Sequence, residues 1–384
     1  MRDLPTQSIA EKGNYYPFID GLRGIAILAI LLVHTSQIVG NEHPGSLASR
    51  TLEDFVNSGA RGVQLFFMLS AFSLLISSVA RYRTDRYPKV DFYVRRAFRI
   101  LPFWCLMVIY WAFKTGVIGD VPRILTNASF AFGFIRFRPD VELVPAGWAL
   151  FCLVTFYLLF PLIFKYIKDV YIALTFLIMT IALSVVWEQL APKFGVPDGN
   201  AFIFLFPLSQ WFCFALGVVV YYLTTSGTFK ALVLDNRRCF LILDAAAFIA
   251  MFLLLRGDYL LATFSLFLLI IASIPSTTIF GLIARNRLLM RFGAYCYSIY
   301  VFQFALLYAL DPVKEVIFSK MGIANSIVEV KLLVWFPIVA LISLVLAFFT
   351  FNLIERPCVS LGKKLIPKMN TALDSIARAN IISR

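Results

Sequence analysis

The chain reads as an all-α integral membrane protein, a polytopic helical bundle of about ten transmembrane helices. Three observations predict this class. Sixty per cent of the 384 residues are apolar and only 15% are charged, against about 45–50% and about 25% in soluble domains. The apolar residues fall in long unbroken runs, and about 20 such residues are needed to cross a bilayer as a helix. Phenylalanine alone contributes 39 residues, which suits helices that are apolar all round. A soluble enzyme, a disordered chain and a secreted disulfide scaffold are excluded. A β-barrel would show alternating segments of about ten residues instead.

Ten candidate spans follow in order: 18–39, 62–80, 100–119, 144–167, 170–187, 201–223, 239–255, 259–283, 292–310 and 332–354. The first is too long and too polar for a cleaved signal peptide, since it holds Asp20, Arg23 and His34. The seventh is short and contains Asp244. The stretch 124–135 is too short and polar to span and reads as a re-entrant or interfacial segment. With both termini on one side, 24 of the 35 Lys and Arg residues fall on that side and 11 on the other. This bias predicts cytoplasmic termini. It also explains much of the formal charge of +13 without nucleic acid as a partner. The organisation expected is an N-terminal segment 1–17, a membrane domain 18–357 and a basic cytoplasmic tail 358–384. That tail is too short to fold alone and is suited to the membrane surface.

Cysteine and histidine usage argues against metal chemistry. None of the six cysteines forms a CxxC pair, and there are only two histidines. The cysteines read as small apolar residues, and no metal site is expected.

Polar side chains inside a span are costly and are the first candidates for function. Asp20 and Arg23 are i,i+3 neighbours able to pair. Arg23 and His34 are 11 residues apart, about 1100° of helix, so they share a face roughly 16 Å apart along the axis. His34 has two readings: a helix–helix hydrogen bond, or a base that takes and returns a proton near neutral pH. His43, in the turn-like NEHPG, reads as a solvated loop residue. In DFYVRRAFRILP, residues 91–102, Arg95 and Arg96 both lie one turn from Arg99. Pro102 must then be a kink or a helix start. Guanidinium forks suit phosphate oxygens, while the plainer role of this cluster is a topology signal and headgroup contact. Arg81, Arg83, Arg86 and Lys89 look like ordinary surface charge. Ser70 and Ala71 allow close helix approach. Gln303 is polar within a span and needs partners or a water-lined cavity. Glu355 and Arg356 read as an ion pair at the end of the last span. No G-x-S-x-G, P-loop or HExxH motif is present.

The order FIDGLRGIAILAILLVH, FFMLSAF, VRRAFRILP, the stretch from Trp148 to Pro161, YSIYVFQ and LIERP resembles the acyltransferase 3 family, O-antigen acetylases among them. The resemblance runs from residue 18 to 357. It implies that His34 acts as base on an acceptor hydroxyl, and that Arg23, Arg96 and Arg99 contact acyl-CoA. Arg95 is added to that clamp, with Asp20, Gln303 and Glu355 as supporting polar groups. Three positions depart from the family pattern. Leu153 stands where an acidic residue is frequent, Ala71 where glycine is usual, and Gln303 where histidine is frequent. Glu142, Asp20 and Asp244 are the candidates to replace the acid. The family often carries a fused extracytoplasmic hydrolase-like domain, and a stand-alone form is expected here.

The function so implied is transfer of an acyl group, acetyl first, from acyl-CoA to a hydroxyl of a cell-envelope glycan or glycolipid. Acyl-CoA is then a co-substrate, with no cofactor bound permanently. The partners are the lipid bilayer and the glycan acceptor, and the site is a multi-pass protein of the bacterial inner membrane. From another class stands a transporter or flippase for a phosphorylated lipid or glycan. The absence of an internal repeat argues mildly against it. A non-catalytic homologue is a third reading, because Leu153 replaces the acid. If the apolar core begins at Phe18, His34 lies about 24 Å deep, and if it begins at Ile25, about 14 Å. Either way His34 sits between the midplane and the outer half.

Overall fold

The computed structural model describes residues 16–39, 54–135, 141–197, 200–234, 236–254 and 259–382, and among these there is no strand. His43 lies outside the described residues. The principal helices are α1 (Pro17–Val39), α2 (Gly62–Tyr82), α3 (Pro88–Lys114), α4 (Val121–Ala128), α5 (Gly147–Tyr166), α6 (Val170–Leu190) and α7 (Pro207–Thr225). They continue with α8 (Arg237–Leu254), α9 (Tyr259–Ser273), α10 (Arg287–Ala294), α11 (Cys296–Lys320), α12 (Val328–Thr350) and α13 (Arg356–Ile382).

Among the described residues seven helices are long and apolar enough to cross a membrane, or eight if α10 and α11, bent by 75°, form one span. The remainder of the ten expected spans falls on α8 and α9. Asp244 of α8 shows why that part reads ambiguously. Its carboxylate accepts from the backbone N–H of Ile279, 3.0 Å from each oxygen, and so caps the short helix Ile279–Ile283. α3 differs more from expectation. It starts at Pro88, runs through Pro102 and stops at Lys114, so the arginine cluster is fully helical and lies within the span.

The sequence DGLRG explains how α1 is seated. Gly21 and Gly24 of α1 press on the backbone of Ala284, at the end of the short helix Ile279–Ile283, and of Leu289 in α10. A Cβ on either would lie 1.6 or 1.9 Å from a carbonyl oxygen. Gly293 of α10 meets the Asp20 carbonyl in the same way. Only residues without a side chain allow this approach, as in other small-residue membrane contacts. On its other flank α1 takes the start of α2. Gly59 lies against Ala29 and Val33, and Gly62 against Ala26 and Ile30. Further along α2, Ser73 meets Arg23, so α1 and α2 are antiparallel. At the far end of α1, the buried Lys314 donates to the Ile38 carbonyl at 2.9 Å and pairs with Asp311 and Glu315. A cation at a helix C-terminus answers its unpaired carbonyls.

The stretch 124–135 folds back against α3. The Trp104 indole donates to the Asn127 carbonyl at 2.9 Å and stacks on Phe130 at 4.7 Å. Asn127 in turn donates to the Val141 carbonyl and accepts from the Leu143 N–H. This knot delivers the chain to the start of α5, inside the bundle.

Beyond a π-turn at Phe351–Glu355, α13 continues from α12 and docks along the first half of α3. Gly362 lies on Phe98, Asn370 donates to Asp91, and Asp374 accepts from Tyr87 and pairs with Arg86. The basic tail is therefore helical and held by the protein itself.

Candidate active site

A cavity of about 350 Å³ opens between α1, α2, α3, α5 and α11. Arg23, Arg81, Arg96 and Arg99 all line it, with one carboxylate, Asp20. Arg23 is fixed twice: it donates to Ser73 Oγ at 2.8 Å and pairs with Asp20 at 3.5 Å. Arg96 lies over the rings of Phe92 and Tyr157, 5.6 and 5.5 Å from their centroids. Its Nε is buried with no hydrogen-bond partner among the described residues. Tyr297 sets the depth of Arg99, because its hydroxyl donates to the carbonyl of the next residue, Ile100, at 2.6 Å. Ser70, Ser73 and Ser77 of α2 supply hydroxyls along one wall. Such a chamber, cationic and set among apolar helices, suits an anionic ligand.

Not every residue singled out from the sequence belongs here. Arg95 turns away and pairs with Asp85 across the α2–α3 turn. Arg81, read as surface charge, faces the cavity instead. Ser70, Ser73, Ser77 and Arg81 follow one another at three- and four-residue spacing, a single helix face, and that spacing was the available signal. Leu153 also lines the cavity, so the place of the family's acidic residue faces the chamber and is apolar.

The three candidate replacements separate cleanly. Asp20 lies in the cavity, Asp244 caps a distant helix, and Glu142 caps α5. Glu142 Oε1 accepts from the Trp148 N–H at 3.1 Å. Burial pushes its carboxyl up to about 7, against the pull of the Trp148 and Gly147 N–H groups. Ala146, just before α5, holds a left-handed backbone with φ of 63°, and its carbonyl accepts from the Tyr300 hydroxyl at 2.8 Å. Tyr300 thus joins this knot to the inner end of the cavity.

His34 does not line the chamber. It stands on the Arg23 face of α1, with Nδ1 3.0 Å from Gln37 Oε1 and its ring 4.4 Å from that of Phe304. Phe304 is one turn beyond Tyr300 on α11, so α11 carries the path from the cavity end to His34. Gln303, beside Phe304, is fully buried with neither amide atom partnered among the described residues. Glu355 lies in the π-turn and accepts from Ser298, whose hydroxyl also takes one from Thr350 at 2.9 Å. It holds α11 to α12 and does not pair with Arg356. Among the described residues no cluster of His, Cys, Asp and Glu is placed to hold a metal ion.

A guanidinium-lined chamber inside an apolar helical bundle, with an imidazole further along α1, defines a polytopic membrane protein with an internal site for an anionic ligand. The chain belongs to the acyltransferase 3 family: a family model described as an acyltransferase domain matches residues 16–352. It is similar to the O-acetyltransferase OatA of Staphylococcus aureus strains NCTC 8325 / PS 47, COL and MRSA252. Each is 28% identical over 171 residues, 40% of this chain and 25% of the relative. The chain thus spans about a quarter of the length of the curated relatives it matches. No solved structure matches it.

Proposed function

We propose that this protein is a membrane O-acyltransferase that moves an acetyl group from acetyl-CoA to a hydroxyl of a cell-envelope glycan or glycolipid. The observation that carries this reading is the convergence of Arg23, Arg96 and Arg99 on one cavity, with His34 on the same face of α1. The CoA pyrophosphate would lie among the three guanidinium groups. Arg23 and Arg99 lie at a similar depth, both within electrostatic reach of Cys296 in the cavity wall. From Arg23 to His34 is 11 residues, roughly 16 Å of helix, a span an extended pantetheine arm can cover. The thioester would then arrive beside His34, passing Tyr300 and Phe304.

His34 takes the proton of the acceptor hydroxyl as its oxygen attacks the thioester carbonyl. The tetrahedral intermediate collapses, the C–S bond breaks, and the imidazolium returns its proton to the leaving thiolate. Asp20 orients Arg23. Glu355 supports α11 through Ser298. Arg95, committed to Asp85, is given no part in the clamp. The orientation proposed is that of the charge bias, with both termini cytoplasmic in the bacterial inner membrane. The donor then comes from the cytoplasm and the acceptor from the outer face. The similarity to OatA, an O-acetyltransferase, supports acetyl as the group moved.

The test is acceptor-dependent release of free CoA from acetyl-CoA by the purified protein, with envelope glycan from a deletion strain as acceptor. Transfer by the wild type and its loss in His34→Ala are expected. Equal release with and without glycan would overturn the reading, as would transport of a phosphorylated intermediate without CoA release.

A further inference from the structure

Arg81 is the one guanidinium of the cavity that the function above leaves unused. It lies in the last turn of α2 and lines the chamber with Arg23, Arg96 and Arg99. Its side chain makes no hydrogen bond or ion pair among the described residues. Arg23 is held by Ser73, and Arg81 is eight residues further along α2, about 12 Å nearer the mouth. Arg96 comes between, one turn outward from Arg99 on α3. The four cations therefore form a ladder, with Arg23 and Arg99 innermost and Arg81 outermost.

Coenzyme A presents its groups in a fixed order: thioester, pantetheine arm, pyrophosphate, then ribose with its 3′-phosphate. If the thioester points inward to His34, the pyrophosphate meets the inner cations first. The 3′-phosphate, a monoester with a charge of about −1.5 to −2 at neutral pH, comes last and nearest the mouth. Arg23 is directly paired with Asp20, whereas Arg81 has no direct pair, its nearby carboxylate Asp85 being bonded to Arg95. We infer that Arg81 recognises the ribose 3′-phosphate of the donor and makes the protein selective for coenzyme A over its 3′-dephospho form. This rests on the acyl-CoA reading above and adds to it a specificity-determining residue.

Binding measures it without an acceptor. CoA and 3′-dephospho-CoA are titrated calorimetrically into the purified full-length chain in detergent, as wild type, Arg81→Gln and Arg99→Gln. A charge-assisted hydrogen bond is worth about tenfold or more in affinity, so the wild type should bind CoA at least about tenfold tighter than the dephospho form. In Arg81→Gln that ratio should fall to near one while affinity for 3′-dephospho-CoA stays within about twofold, which also shows that the variant is folded. Arg99→Gln should weaken both ligands alike. A ratio retained in Arg81→Gln, or equal weakening of both ligands, overturns the inference. Wild type that binds both forms equally well defeats Arg81 selectivity and leaves the donor reading standing. Wild type that binds neither defeats both.

Discussion

At the scale of single residues, the proposed reaction divides the site into groups that would touch phosphate and groups that would move protons. Arg96→Ala and Arg99→Ala should raise the apparent KM for acetyl-CoA, with Arg99→Lys restoring only part, because lysine keeps the charge and loses the bidentate fork. Steady-state kinetics at varied donor concentration checks this, and normal donor binding in both alanine variants would reduce the cluster to a topology signal. His34→Ala should lower turnover by about 10²–10⁴-fold, the usual worth of a general base, with abundance in the membrane unchanged. Residual activity within a few-fold of wild type would remove His34 from the chemistry. Glu142 carries a pH signature. Its folded-state pKa is raised from 4.5 to about 7, so its contribution to stability is full below about 4.5 and is lost as pH rises through about 7. Glu142→Gln keeps an oxygen for the α5 cap and cannot ionise. Its melting temperature should therefore gain on wild type between pH 5 and pH 8, and a constant difference across that window would show that Glu142 does not titrate there. Arg23 was legible in the sequence because a charge within a span is conspicuous, and Arg96 and Arg99 because they cluster one turn apart at the entry to a span. Arg81 was not, because a cation just past the end of a span looks the same whether it faces water or a cavity.

At the scale of elements, α1 depends on a backbone-to-backbone seam. A Cβ on Gly24 would lie 1.9 Å from the Leu289 carbonyl oxygen, and neither backbone can yield without moving a helix. Gly24→Val should cost at least about 1–3 kcal/mol and shift Arg23 relative to Arg96 and Arg99. The melting temperature in detergent and CoA affinity should therefore fall together; a variant that melts like wild type would mean that α10 slides freely over α1. The motif was visible as a string, but the reason for its glycines was not, because the partner backbone lies some 260 residues away. The apolar run likewise put the start of the third span at residue 100. The charged half-turns from Pro88 onward do not read as a span, and α13 and α5 are what cover them. Arg95 was grouped with its neighbours for the same kind of reason. Its helical spacing from Arg99 fits the cavity, and only the fold of the α2–α3 turn brings Asp85 to it.

At the scale of the whole molecule, the two-sided reading makes one demand: the far end of α1 must open to the side opposite the arginine mouth. Gln37 is exposed there, beside His34. Gln37→Cys should be labelled by a membrane-impermeant maleimide added to intact cells, and a bulky label there should block transfer. Labelling from the cytoplasmic side alone would invert the topology, and labelling from outside with full transfer would end the outer acceptor route. The class of fold was legible from composition alone, since lipid leaves a chain this apolar few alternatives. The number of crossings was less so, because α8 and α9 pack as a pair in which Asp244 spends its charge on a neighbouring helix. The seam between α1 and α10 also has a consequence in time. A ribosome adding about 5–20 residues per second needs roughly 13–50 s to travel from Gly24 to Ala284. Throughout that interval the first helix sits in the bilayer with its glycine face open and Arg23 waiting for the rest of its surroundings. Nascent chains arrested before residue 284 should therefore be far better substrates for membrane proteases than chains arrested after residue 294.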